Sequence, residues 1–283
     1  METKVRIDVK KTYKLFINGQ FPRSESGRVY EVKDSKGRFL ANPAQGSRKD
    51  LRECVVAARG AFSGWSNATA FNRGQILYRV AEIMEGRSDQ FVAELIAQEG
   101  ISASAAKVQV AKAIDTWVWY AGWTDKISSI SGATNPVAGP FYNFTIPEAL
   151  GVVAVFADGK PSLLNMVAGL APVIASGNTA ILIASEKYPL SAITLAEALA
   201  TSDLPAGVVN ILTGKAGELL SWVGAHMDID GVDASGLGRK QLTELKVAGA
   251  ENLKRIHSFD EITSPLRITS FMESKTVWHP IGV

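Results

Sequence analysis

Apolar and polar positions change their period along this chain, and the changes divide it. In Lys14-Leu15-Phe16-Ile17-Asn18-Gly19-Gln20-Phe21 two apolar stretches flank Asn-Gly, the turn chemistry of a two-residue hairpin, because both central residues need positive φ. Another extended piece ends at Ala41-Asn42-Pro43-Ala44. From Asp50 the spacing of Leu51, Cys54, Val55, Ala58 and Phe62, with Trp65 just beyond, is helical, and Asp50 suits the first turn or cap. Two more helices are predicted, one carrying Ile76, Leu77, Val80, Ile83 and Met84, the other Phe91, Leu95 and Ile96 before Gly100. A long helix follows from about Ser102 to Ile127, whose Trp117, Trp119, Tyr120 and Trp123 are spaced for core packing and not for a ligand cage. From Ser128 to Leu150 the chain is rich in Gly, Pro, Ser and Thr, with a strand predicted over Phe141 to Ile146, and this marks a domain boundary.

After that boundary the pattern becomes one of continuous apolar runs. Gly151-Val152-Val153-Ala154-Val155-Phe156-Ala157 suits a parallel strand buried on both faces. A helix over residues 162–176 is followed by Gly177 in the C-terminal cap position. Strand Thr179 to Ile183, helix Leu190 to Ala200, strand Val208 to Leu212, a helix around Leu219 to Gly224, a strand near Gly231 to Ala234 and a helix from about Arg239 to Val247 complete the series. Strand and helix alternating in this order predict an α/β fold: an open parallel, Rossmann-like sheet with right-handed crossovers and helices on both faces. Ligands of such sheets sit at the carboxyl ends of the strands.

Composition narrows the function classes. With 283 residues, 46% hydrophobic and 20% charged, the chain buries a full core. Thirty basic against twenty-eight acidic residues leave +2, too small and dispersed for a nucleic-acid footprint. The opening METKVRIDVKKTYK lacks the apolar core of a secretory signal, and no stretch approaches ~18 uninterrupted apolar residues, so neither a signal nor a membrane span is expected. A single cysteine excludes an internal disulfide and makes the cytoplasm the expected location. Cys54 lies on the apolar face of its helix, far from any cationic setting, and reads as a buried filler rather than a reactive thiol. His226, His257 and His279 stand far apart and imply no metal site.

The segments Lys14 to Phe21, Asn42-Pro43-Ala44, Ala57 to Trp65, Gly151 to Thr179, Leu204 to Gly214, His226-Met227-Asp228-Ile229-Asp230 and Asn252 to Ile256 resemble, in order, the aldehyde dehydrogenase superfamily. The tail from Ile268 to Gly282 resembles the strand with which full-length members end. Between Ile256 and that tail the catalytic domain of the family is expected to be absent. The resemblance thus implies a cofactor-type domain over residues 1–127 and 151–256. It also implies an antiparallel oligomerisation element over 128–150 and 262–283.

Carried over residue by residue, the resemblance implies a decayed site. A family Trp-Asn pair after the first sheet strand, whose amide holds the oxyanion, falls on Gly159 and Lys160. Lys160 stands near a helix N-terminus, where only Asp158 or a bound anion would offset its charge. The family lysine and glutamate that bind the adenosine ribose fall on Ile183 and Glu186, and the Phe-Thr-Gly-Ser turn on Ala234, Ser235, Gly236 and Leu237, with a later glycine at Gln241. Gly236-Leu237-Gly238 lacks the third glycine of a dinucleotide fingerprint. Glu186, Ser235 and Gly236 are therefore the vestigial cofactor-binding candidates. In place of the Leu-Glu-Leu-Gly-Gly stretch that carries the family base, the chain reads His257-Ser258-Phe259-Asp260-Glu261-Ile262. No catalytic residue is assigned, because Asp260 or Glu261 as a base would have no nucleophile to activate.

The function expected on these grounds is that of a noncatalytic homologue. It would assemble with a full-length aldehyde dehydrogenase, or with itself, through Gly139 to Leu150 and Ile268 to Ile281, as the shortened second copy does in two-domain members of the superfamily. No cofactor is expected. The alternative is an NAD(P)-dependent oxidoreductase completed by a partner subunit. A third idea places a small anion at Lys160 and the adjoining helix start.

Overall fold

Asn18 and Gly19 take φ of 51° and 73° in the computed structural model, which describes residues 9–282. Ile17 and Gln20 exchange backbone hydrogen bonds of 3.0 and 2.9 Å across them, as a two-residue turn requires. Residues 1–8 and Val283, included in the predicted units, lie outside the described residues. Strands β1 (Val32–Lys33) and β2 (Phe39–Ala41) pair antiparallel. Helix α1 (Arg48–Ser66) starts from Ser47, whose hydroxyl accepts the Asp50 N–H while the Asp50 carboxylate accepts the Ser47 N–H. Asp50 is thus the third helical residue of a reciprocal cap, and Ser47 is the cap itself.

Helices α2 (Ala70–Gly86), α3 (Ser88–Glu99) and α4 (Ala103–Ala121) follow. The long helix predicted to Ile127 stops at Ala121, passes through turns, and resumes as the short α5 (Ile127–Ser131). Gly122 weakens the helix there, and the Thr124 hydroxyl donates to the Ala121 carbonyl at 3.0 Å, occupying an acceptor that a continuing turn would use. Trp117 and Tyr120 are fully buried, with Trp119 and Trp123 packed against the same core, so this cluster is packing.

Strands β3 (Ala133–Asn135) and β4 (Phe141–Ala149) lead into the parallel unit. Its elements in chain order are β5 (Val152–Ala157), α6 (Ser162–Ala175), β6 (Thr179–Ala184), α7 (Leu190–Ala200), β7 (Val209–Leu212), α8 (Ala216–Ala225), β8 (Gly231–Asp233), α9 (Arg239–Ala248) and β9 (Arg255–His257). Gly177, at φ 91°, makes the left-handed exit from α6 that the sequence places there. The five strands are parallel in the order β7-β6-β5-β8-β9. Residues of β5 alternate between two cores: Val153, Val155 and Ala157 face α2, α4, α6 and α7, whereas Val152, Ala154 and Phe156 face α1 and α8. A strand covered on both sides has to be apolar throughout, which is why its sequence shows no alternation. At one margin Phe16 and Ile211 exchange hydrogen bonds of 3.0 and 2.7 Å, so the N-terminal segment pairs with β7.

After β9 a short helix α10 (Pro265–Thr269) precedes β10 (Met272–Pro280). β10 pairs antiparallel with β4 of the same chain along its whole length, Met272 opposite Ala149 and Pro280 opposite Phe141, in a three-stranded sheet ordered β10-β4-β3. Residues 262–271, which the sequence groups with this antiparallel unit, instead pack on α6 and bury Arg267, Ile268 and Phe271. The fold class is therefore α/β as expected: an open parallel sheet with helices on both faces, plus a small antiparallel sheet. No helix among the described residues is long and apolar enough to cross a membrane.

Candidate functional site

In a sheet of this order the chain reverses its direction of growth between β5 and β8, and the crevice outside their carboxyl ends is where a ligand is expected. Here that crevice is closed by the chain itself. Segment 258–271 runs across it, leaving a cavity of about 100 Å³ lined by Phe156, Asn165, Gly169, Gly236, Phe259 and Arg267, among others.

A buried ion pair holds the segment down. The Arg267 guanidinium donates to the Asp233 carboxylate at 2.8 Å, and their side chains are only 4% and 2% exposed. Arg267 also donates to the Glu261 carbonyl at 2.8 Å and lies over the Phe259 ring at 4.8 Å. The Tyr120 hydroxyl donates to the Ile262 carbonyl at 3.0 Å, and burial pushes that phenol up to about 12. His257 stacks on Phe259 and meets Phe271 edge-on, and burial, with Arg255 close by, lowers its pKa.

The three cofactor-binding candidates separate into two places. Ser235 donates its hydroxyl to Asp233, and the same oxygen accepts the Phe259 N–H at 3.0 Å, so it is turned into the fastening of the segment. Gly236 donates its N–H to the Phe156 carbonyl at 3.0 Å, and a Cβ there would lie 2.4 Å from both that oxygen and the Asp158 nitrogen. Its missing side chain lets two backbones touch. Glu186 stays exposed in a separate cleft of about 330 Å³ shared with Tyr30, Lys160 and Tyr188. Burial first, then the Glu186 charge, raises the Tyr30 phenol well above its ordinary value.

Lys160 donates to the Glu99 carbonyl and lies 4.9 Å from the centre of the Tyr188 ring, which commits it to α3 rather than to a carbonyl substrate. The start of α6 is satisfied from within. Buried Glu99 accepts the Ser162 N–H at 2.9 Å and the Ser162 hydroxyl at 2.5 Å, and Gln109 accepts the Leu163 N–H at 3.0 Å. Gln98 does the same for α7, accepting the Leu190 N–H at 2.9 Å. The groups at this helix start therefore do not fit an added phosphate, which corrects the expectation of an anion held beside Lys160. Asp158 serves as a local acceptor, taking the Ser185 hydroxyl at 2.6 Å and the Gly159 N–H at 2.8 Å.

Asp260 and Glu261 are exposed on the linker. Cys54 is fully buried in the core between α1 and the sheet, and burial, reinforced by Asp50 and Glu53, drives its thiol pKa well up. At about pH 8 the native protein should therefore resist a thiol-exchange reagent and release its one equivalent only on unfolding. Rapid labelling of folded protein would contradict this placement. Among the described residues no cluster of potential metal ligands occurs. The pairing of Asp233 with Arg267 escapes sequence reasoning because nothing in a linear charge pattern says which carboxylate an arginine 34 residues away will meet.

Strand order and crossovers define this as a doubly wound, Rossmann-like α/β protein. It belongs to the aldehyde dehydrogenase family, whose sequence model matches residues 21–258. The chain is 32% identical over 244 residues to an aldehyde dehydrogenase of Emericella nidulans, covering 86% of this chain and 48% of that protein. It is 32% identical over 270 residues to the mitochondrial 10-formyltetrahydrofolate dehydrogenase of Mus musculus, covering 93% and 29%. Among solved structures, an aldehyde dehydrogenase of Bacillus cereus in complex with NAD+ superposes with a TM-score of 0.82 at 26% identity, over 87% of this chain and 50% of that one. The chain thus spans about half the length, or less, of these relatives.

Proposed function

We propose that this chain is a noncatalytic member of its family that serves as a structural or regulatory subunit, assembling with a full-length aldehyde dehydrogenase or with itself. The observation that carries the reading is the closed crevice: Phe259 and Arg267 of the chain's own C-terminal segment occupy the strand ends at which the fold offers a ligand its place. The chemistry of the chain supports it, since its single cysteine is a buried core residue with a raised pKa and not an exposed thiolate. Assembly would use the three-stranded antiparallel sheet. β10 is nine residues long, pairs on one side with β4 and leaves its other edge at the margin of the sheet, a template for strand addition.

A second reading is that a partner completes an NAD(P)-dependent oxidoreductase site around this chain. The exposed Glu186, in its open cleft, is the observation in its favour.

Two measurements test the proposal. The native mass, taken for the chain alone and after co-expression with a cysteine-bearing aldehyde dehydrogenase, is expected to show a stable multimer in at least one case. A monomer in both overturns the assembly role. Calorimetric titration with NAD and NADP is expected to give no heat, and aldehyde no nicotinamide reduction. Micromolar cofactor binding would transfer the argument to the second reading.

A further inference from the structure

Outside the crevice, the feature with the most unassigned chemistry is a groove of about 780 Å³ between the first turn of α1 and the end of α8. Its size lies in the range of small-molecule sites, roughly 300–1,000 Å³. It opens beside His226 and Met227, just ahead of β8.

Three features characterise it. The floor is apolar and open: Trp222 is 42% exposed and Met227 77%, two large apolar side chains that line the same groove. The guanidinium of Arg48 lies 3.7 Å from the centre of the Trp222 ring, a stack of planar groups that another flat ring would extend. The lining is also cationic. Arg48, Lys49 and Arg52 stand against Glu25 in the lining, and Glu25 is engaged by Lys49 at 3.2 Å. Neither Arg48 nor Arg52 forms an ion pair among the described residues. The local field acts on His226, whose pKa is lowered by burial and by Lys254, Arg52 and Arg59 against the opposing pull of Asp228.

We infer that the groove between α1 and α8 binds a planar aromatic molecule carrying a carboxylate or phosphate, its ring stacked against the Arg48–Trp222 pair and its anion held by Arg52. The apolar floor accepts the ring, and the unpaired guanidinium supplies two parallel donors to the anion. The chemistry is that of a binding site, with no base or nucleophile arranged for turnover. The site is independent of the pseudoenzyme reading, because none of its residues lines the crevice.

The test is calorimetric titration of the whole chain with benzoate and phenyl phosphate as planar anions, cyclohexanecarboxylate as a puckered one and inorganic phosphate as a plain one. The two planar anions are expected to bind, whichever is tighter, with cyclohexanecarboxylate and phosphate about tenfold weaker or more. Trp222→Ala and Arg52→Gln should each weaken planar-anion binding about tenfold, and Trp222→Phe, which keeps an aromatic face, should retain most of it. Melting curves followed by circular dichroism verify that each variant is folded, and Trp222→Phe remains informative if Trp222→Ala is not. The proposal is overturned if neither planar anion gives heat up to about 10 mM. It is equally overturned if the puckered acid binds as well as benzoate, or if folded Trp222→Ala and Arg52→Gln bind like the parent.

Discussion

Replacing Arg267 with alanine is expected to destabilise the protein by about 3–5 kcal/mol, because it leaves the Asp233 carboxylate inside the fold without a counter-charge. Both side chains are nearly inaccessible, so water cannot easily take over from the lost guanidinium. Thermal unfolding should move down on the order of 10 °C. The paired replacement Asp233→Leu with Arg267→Met is expected to regain most of the loss, within about 1–2 kcal/mol of the parent, since an apolar pair carries no desolvation penalty. One detail sharpens this expectation: the Arg267 Nε is buried without a hydrogen-bond partner, so the native pair is itself incompletely satisfied. A single substitution that left the melting curve in place would show that the C-terminal segment is not held by this contact.

The second large effect is expected at Gly236. Alanine there would set a Cβ 2.4 Å from the Phe156 oxygen and the Asp158 nitrogen, and backbone atoms at the end of a buried strand have no room to retreat. A loss of about 3 kcal/mol follows from this overpacking. The measurement also decides what the glycine is for. If Gly236 is kept to let a cofactor approach, alanine would spare stability and change only ligand binding; if it joins β5 to the turn after β8, the denaturation midpoint falls in protein without any ligand. The structure supports the second outcome.

The parallel unit is readable from its residues because burial on both faces demands uninterrupted apolar strands, and Gly151 to Ala157 and Thr179 to Ile183 leave no other arrangement of that length. The Asn18-Gly19 turn and the Gly177 exit are readable because each needs positive φ. Strand β9 is not: Arg255-Ile256-His257 is three residues long, half-exposed, and has no period. The end of α4 is hidden by its own aromatics, which keep helical spacing past Ala121 while Gly122 and Thr124 interrupt the backbone. The candidate site divides in the same way. Ser235 and Gly236 fall at the expected strand end, yet the direction of the Ser235 hydroxyl depends on Asp233 and Phe259, whose proximity is a product of the tertiary fold.

The carboxylate that Glu99 plants at the start of α6 bears on any attempt to re-engineer this scaffold for nucleotides. Any phosphate brought to that helix end would find its donors already taken by the internal acid, and two negative groups would then contend for them. Neutralising Glu99 would free those donors, although the same change uncaps the helix.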